Sequence, residues 1–422
     1  MLVPTHSFAL LGLSLIPSVI SCFSPGFSPG FPYGSEKVRG VNLGGWLVLE
    51  PWITPSLFDS TGNNAIVDEW TFGEMQSKTT ATNALQNHWN TWITESDFEA
   101  IAAAGLNHVR VPIGYWAFEV GPGEPYISGQ LPYLQKAVTW AGNHGLKVIV
   151  DLHGAPGSQN GFDNSGETLV IPMWHSNATN VERTDAILKT IASMFKDQTS
   201  VVPIIAALNE PLPFDPTVIP VITQYWNDAY SIIRYPYGTS EMGNAVSLIH
   251  TAFYPLSYWV GFQTAVDGFQ GVAMDTHIYQ MFTDAEVAFT YQQHIAAACN
   301  QSTELSSFDK WIIVGEWTAA ATDCATYANG RGVGSRYDGT YPGSTKVGSC
   351  TGLTGKSSTF SSSYKTFLGQ YWQAQVEAYE AGQGWIQWTW KAENADEWTY
   401  QAGLAGGWIP PNPANHKYPS QC

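Results

Sequence analysis

Charge is scarce in this chain. Charged residues make up 13% of its 422 positions, about half the usual ~25% share. Basic residues are the minority among them, 18 Lys and Arg against 35 Asp and Glu, for a net charge of −17. So acidic a chain repels phosphate backbones and anionic lipid headgroups, which argues against nucleic acid and membrane surfaces as partners. Cysteine is scarce too: only Cys22, Cys299, Cys324, Cys350 and Cys422 occur, none in the paired spacing of a zinc site. No apolar run reaches the about 20 residues that span a bilayer. The first strand-like run lacks a GxGxxG, which weakens a dinucleotide fold, and no GxSxG elbow offers a serine nucleophile. His153 and His277 stand alone, outside any HxH or HxxxH ligand spacing.

What is abundant is apolar and aromatic. Hydrophobic residues reach 44%, which excludes a disordered chain. Aromatics stand at 14%, with 18 Trp. Flat rings in a weakly charged protein suit a large aromatic core or a neutral, hydroxyl-rich ligand such as a sugar, and composition leaves both open.

At the N-terminus, residues 8–20 form a short apolar run interrupted by Ser14, Pro17 and Ser18. That pattern reads as the core of a secretory signal covering residues 1–21, with a cut after Ser21. Residues 22–36 are rich in Gly, Pro and Phe and read as a linker. Loss of Cys22 with the signal leaves four cysteines, suited to two disulfides in an oxidising compartment, with three pairings open. The sequons at Asn177 and Asn300 fit a secreted glycoprotein, extracellular or in a cell wall.

Residues 37–422 read as one domain. Eight apolar, β-branched or aromatic runs occur at 38–46, 108–115, 147–154, 201–210, 245–253, 271–279, 311–317 and 384–390. They lack strict alternation, as strands buried on both faces do. Helical patterns at 97–106, 131–144, 183–196, 218–234, 284–299 and 363–381 lie between most of them, with Asp97 and Asp284 read as N-caps and Gly105 and Gly145 as stops. Eight strands with helical crossovers predict an α/β fold, a single decorated (β/α)8 TIM barrel, with a doubly wound open sheet as the alternative. Two long segments, 154–180 and 319–362, follow strand ends and read as functional loops.

Polar residues gather at those strand ends: Arg110, Asp151, His153, Asn209, Glu210, His250, Asp275, His277, Glu316 and Lys391. In a barrel this is the catalytic face, although Asp151 and Asp275 suit satisfied core polars equally. Glu210 and Glu316 each close an apolar strand, where burial is costly without a role. Two facing carboxyls are the apparatus of glycoside hydrolysis, which needs neither metal nor cofactor.

At this point the chain resembles a family. Arg39-Gly-Val-Asn-Leu-Gly-Gly-Trp-Leu-Val-Leu-Glu-Pro-Trp52 and Thr54-Pro-Ser-Leu-Phe58 are similar to the opening of fungal exo-β-1,3-glucanases in family 5 of the glycoside hydrolases. The stretch 151–166 (DLHGAPGSQNGFDNSG), Leu208-Asn-Glu-Pro211, Asp275-Thr-His-Ile-Tyr279, Val314-Gly-Glu-Trp317 and Trp388-Thr-Trp-Lys391 follow in the same order, from about Lys37 to the C-terminus.

The resemblance implies a secreted, monomeric, retaining enzyme that takes glucose from the non-reducing ends of β-1,3-glucan, with transglycosylation open to it. A 1,6-β-glucanase or broad β-glucosidase is the runner-up, and a non-catalytic glucan-binding wall protein a third reading. Glu210 is implied as the acid/base, with a raised pKa, and Glu316 as the nucleophile, held ionised. Arg110, His277 and Tyr279 are implied beside the nucleophile and Asn209 on the sugar 2-OH. Glu50, His153, Asp163, Asn164 and Trp390 are implied around the glucose pocket, with Phe162 and Phe282 as clamping rings at its entrance. Trp52 stands where relatives often carry Tyr, keeping a ring and losing its hydroxyl. The resemblance further implies the disulfides Cys324–Cys350 and Cys299–Cys422.

Overall fold

A computed structural model describes residues 27–422; the signal segment, Cys22 and the start of the linker lie outside them. All eight expected strands form: β1 (Val38–Asn42), β2 (His108–Gly114), β3 (Lys147–Gly154), β4 (Ile204–Ala206), β5 (Val246–His250), β6 (Val272–Ile278), β7 (Trp311–Trp317) and β8 (Gly384–Gln387). They pair in chain order, and β1 closes on β8 in parallel register, Val38 opposite Gly384. The chain is therefore a (β/α)8 TIM barrel, and the open-sheet alternative falls. Among the described residues no helix is long and apolar enough to cross a membrane.

Helix ends follow side-chain chemistry one step away from the sequence reading. The helix Glu95–Ala103 is capped by Thr94, and Asp97 sits three residues on as the reciprocal half of a capping box. The expected helix 284–299 is two helices, Asp284–Val287 and Tyr291–Cys299. Thr283 with Glu286 and Thr290 with Gln293 form separate capping boxes, each starting a helix of its own. Gly105 and Gly145 take φ 75° and 72°, the left-handed stop expected of them.

The stretch read as a linker is, from residue 27, part of the fold. Phe31 and Tyr33 are buried with Val38, Ile149, Ile204, Val246, Leu248 and Ile313, filling the N-terminal end of the barrel. Tyr33 Oη lies 3.1 Å from His108 Nε2, and the Phe31 ring meets the same imidazole edge-on at 4.6 Å. Gly30 is where this strap crosses the turn at Thr199: a Cβ there would lie 2.0 Å from the Thr199 carbonyl oxygen. Aromatic side chains in a Gly/Pro-rich stretch are here anchors.

Inward positions two apart climb from this apolar floor to a polar mouth. On β3 they are Ile149, Asp151 and His153; on β6, Ala273, Asp275 and His277. On β7 strict alternation from the inward Ile313 would turn Glu316 outward. The β6–β7 register shifts at this level, pairing Thr276 with Val314 but His277 with Glu316. Gly315 absorbs the extra residue, packed so closely that a Cβ would lie 2.1 Å from Asp275 Oδ1. That irregularity delivers Glu316 to the mouth.

Candidate active site

The strand ends open into a cleft of roughly 730 Å³, lined by Glu50, Trp52, Phe162, Asp163, Asn164, Glu210, Tyr279, Phe282 and Glu316 among others. Arg110 lies at its base, fully buried. One guanidinium nitrogen donates to Glu316 Oε1 at 2.8 Å and to Asn42 Oδ1 at 3.0 Å; the other donates to Asn209 Oδ1 at 2.7 Å and lies 3.1 Å from Asp151 Oδ2. Asp151 in turn meets His153 Nδ1 at 2.6 Å, and the His153 ring stacks on Trp388 at 5.7 Å. Asp151 thus holds Arg110 and His153 through one oxygen from beneath the site. Tyr279 Oη donates to the other oxygen of Glu316 at 2.9 Å.

Glu210 follows β4 in the left-handed region, φ 44°, just before Pro211. A non-glycine residue held there stores strain of about 1–3 kcal/mol, a feature that clusters at functional sites. Gln159 pins the turn by donating to the backbone carbonyls of His153 and Asn209, at 2.8 and 2.9 Å. His277 Nδ1 lies 2.6 Å from Glu210 Oε1 and 3.5 Å from Glu316 Oε2. Those two carboxylate oxygens are therefore no farther apart than the sum of the two distances. The remaining Glu210 oxygen meets Asn164 Nδ2 at 3.4 Å.

The protonation pattern differs from the expected one. Burial alone would lower His277, but Glu316, Asp275 and Glu210 outweigh it and push the imidazole up to about 10. Burial also works to raise Glu210, yet the hydrogen bond from cationic His277 holds that carboxyl below its ordinary value. For Glu316, burial outweighs the opposing His277 and Arg110 charges and leaves it raised. The unliganded site thus keeps its exchangeable proton on His277, one short hydrogen bond from Glu210.

Glu50 feels the charge of Asp163 across the pocket, and Asp163 that of Asp68. Burial raises Glu50 and pushes Asp163 up to about 7. Each has one buried oxygen without a protein partner, Glu50 Oε1 and Asp163 Oδ2. Trp52 Nε1 donates to the other Glu50 oxygen at 2.9 Å, so the indole supplies the donor that loss of a tyrosine hydroxyl would remove. Phe162 and Phe282 are 44% and 39% exposed on the cleft rim, unusual for Phe away from a ligand.

Two expected residues, Trp390 of the glucose pocket and Lys391 of the strand-end set, lie elsewhere. Trp390 is buried outside the cleft, its Nε1 donating to Asp97 Oδ1 at 2.9 Å, and Lys391 Nζ meets the same carboxylate at 2.9 and 3.0 Å. The buried Asp97 carboxylate draws both donors toward the helix Glu95–Ala103, and Trp388 takes the place at the cleft. Trp388 stood in the quoted motif and was legible. Trp398, Phe253, Arg331 and Tyr341 also line the cleft, and they come from loops whose paths no periodicity reveals.

Glu210, His250 and His277 could present three ligand atoms within 4.8 Å of one another. Their donor chemistry does not suit a cation. The Ala252 N–H donates to His250 Nδ1 at 3.0 Å, leaving the proton on Nε2, and His277 Nδ1 is engaged with Glu210.

The disulfides are Cys299–Cys422 and Cys324–Cys350. The second lies in the loop after β7, where Asp323 accepts from the Arg336 and Tyr337 N–H groups at 2.7 and 3.1 Å and from Asn329 Nδ2 at 2.8 Å. Asn177 and Asn300 are both exposed.

Known proteins resemble this chain in sequence and fold. The sequence profile described as cellulase (glycosyl hydrolase family 5) matches residues 72–330. A glucan 1,3-beta-glucosidase of Blumeria graminis is 46% identical over 396 residues, 93% of this chain and 91% of that one. A probable glucan 1,3-beta-glucosidase A of Aspergillus niger is 45% identical over 431 aligned positions, the whole of both chains. The rutinosidase of Aspergillus niger shares the fold, with a TM-score of 0.70 at 18% identity over 90% of this chain and 99% of that one. With its family-wide match and a barrel mouth that presents two buried glutamates, the chain belongs to glycosyl hydrolase family 5 and is a glycoside hydrolase.

Proposed function

We propose that this enzyme is a secreted, monomeric glucan 1,3-β-glucosidase that removes glucose from the non-reducing ends of β-1,3-glucan with retention. The observation that carries the reading is the single His277 nitrogen at 2.6 and 3.5 Å from the two carboxylates. It keeps their facing oxygens below the ~6.5–9.5 Å that an inverting site needs for its water and is compatible with the ~5–5.5 Å of retaining sites. The relatives from Blumeria graminis and Aspergillus niger, named for this activity, support the substrate. Two disulfides suit an oxidising compartment.

Glu316 is the nucleophile, oriented by Arg110 on one oxygen and Tyr279 on the other. Its oxygen bonds the anomeric carbon as the glycosidic C–O bond breaks, and Glu210 gives its proton to the leaving oxygen. That proton comes from His277, which passes it to Glu210 across the 2.6 Å hydrogen bond as the leaving oxygen is protonated and takes it back once Glu210 has accepted the water proton. Water then attacks the anomeric carbon, Glu210 takes the water proton and Glu316 is released. A second sugar in place of that water gives transglycosylation. Asn209, beside Arg110 and His153, faces the sugar 2-OH. The unpartnered oxygens of Glu50 and Asp163 accept from the hydroxyls of the terminal glucose. Exo action follows from a barrier between the loops after β1 and β7. Arg331 donates to the carbonyls of Asn63 and Ile66 at 2.8 and 2.7 Å and to Asp59 at 3.0 Å, and Tyr327 Oη joins Asp59 at 3.1 Å.

Laminarin, pustulan and cellulose oligomers, with the first product followed by NMR, test the reading. β-Glucose from laminarin is expected. α-Glucose refutes retention, and preference for pustulan refutes the linkage. Glu210→Ala should regain rate with azide on activated aryl glycosides, and azide rescue of Glu316→Gln with retention would overturn the two roles.

A further inference from the structure

His250 ends β5 with its side chain buried, and neither step of the hydrolysis uses it. The backbone just after it is unusual. Ala252 and Phe253 take φ 50° and 58°, two successive non-glycine residues in the left-handed region. A tight turn with both central residues left-handed normally takes Gly, Asn or Asp there, so Ala and Phe in those places carry a strain that the surroundings must offset. Ala252 is fully buried, whereas Phe253 is 46% exposed and lines the cleft.

Four bonds hold this path, the first being the turn bond from the Tyr254 N–H to the Thr251 carbonyl at 3.0 Å, which closes over the pair. The Thr251 N–H donates to the Asp275 carbonyl at 2.9 Å, and Trp259 Nε1 donates to the Thr251 carbonyl at 2.8 Å. The fourth is the Ala252 N–H to His250 Nδ1, at 3.0 Å, in which a side chain accepts from within the left-handed pair itself. The His250 ring also meets Phe253 edge-on at 5.3 Å and His277 at 4.4 Å. It therefore stands between the proton-bearing histidine and the aromatic cleft wall.

We propose that His250 is a positioning residue: by accepting the Ala252 N–H through Nδ1 it holds the left-handed pair that presents Phe253 to the cleft. The proposal deepens the glucanase reading and rests on it only for the choice of substrate. Acting through a wall, His250 governs how well an oligosaccharide is held and bears little on the chemical step.

Steady-state kinetics of the full-length enzyme on laminaritetraose test it. Asn places its side-chain oxygen near the position of Nδ1, whereas Leu fills the space without an acceptor. His250→Leu should raise KM about ten-fold with kcat changed less than about three-fold, the size of effect that follows from an orphaned buried N–H. His250→Asn should return KM to within about three-fold of the parent. In a Phe253→Ala background, His250→Leu should raise KM no further. Should the Leu variant fail to fold, His250→Gln, whose oxygen reaches past the Ala252 N–H, takes its place with the same expected rise in KM.

A parental KM in the variant without an acceptor would overturn the proposal, as would an Asn variant as impaired as that one or a full effect in the Phe253→Ala background. A fall in kcat at constant KM would assign His250 to His277 instead. If the parent does not cleave laminaritetraose, the glucanase reading fails, and the same variants are compared on the glucan it does cleave.

Discussion

The two disulfides stabilise to a similar degree but stand in different relations to the cleft, so removing each in turn separates stability from function. Cys324 and Cys350 are 26 residues apart, Cys299 and Cys422 123 apart. Restricting the unfolded chain over those loops is worth about 3.5 and about 5 kcal/mol at 25 °C. Unfolding entropy runs at roughly 2.1 cal/mol/K per residue, or about 0.8 kcal/mol/K for a barrel of this length. Replacing both cysteines of a pair with Ser should therefore lower Tm by about 4 °C for the short loop and about 6 °C for the long one. The long one ties the C-terminal tail to the outside of the barrel, where the Gln421 and Cys422 N–H groups also bond Glu377 at 2.8 and 3.0 Å. The short one secures the loop that carries Arg331 and Arg336 to the cleft. Scanning calorimetry at one scan rate, with chromatography of laminarin products, reads both effects. The Cys324/Cys350 variant should begin to release laminaribiose and longer products as the Arg331 barrier loosens. The Cys299/Cys422 variant should release glucose alone. Glucose as the sole product from the short-loop variant, at parental rate and Tm, would refute the reasoning that this staple shapes the cleft.

Phe31→Ala should cost about 3–5 kcal/mol by opening a cavity in the barrel floor, with kcat and KM unchanged, measured by denaturant unfolding and initial rates. His277→Gln should move the acidic limb of kcat/KM to higher pH, because the cation that opposes burial at Glu316 is lost; a limb that stays in place denies His277 that role. Burial pushes Glu397 up to about 8, so the folded state holds a proton there that the unfolded state releases near pH 4.3. Its contribution is complete below that pH and is lost as pH rises toward 8. Glu397→Gln should flatten the fall of Tm across that window.

The fold was legible because a parallel barrel buries each strand on both faces, and such strands are written as continuous apolar runs. All eight are found where the sequence shows them. Strand ends were legible for the same reason: a Glu, His or Arg that closes an apolar run has a barrel mouth to enter. The family motifs added identities to those positions. Local chemistry misled only where a neighbour competed, as when Thr94 rather than Asp97 capped its helix, or when Phe31 and Tyr33 turned a linker into a floor.

Tertiary structure alone decided the rest. Glu316 reaches the mouth because the β7 register slips at Gly315, which no alternation pattern contains. Trp390 leaves the cleft because Asp97, 293 residues away in sequence, offers its ring N–H an acceptor. His277 separates the two glutamates: burial works to raise both, and the short hydrogen bond from its imidazole reverses that at Glu210 while Glu316 stays raised. Sequence specifies which groups are present and on which side of a strand they begin. Distances between groups from different strands set their protonation and their roles, and those distances exist only once the barrel has closed.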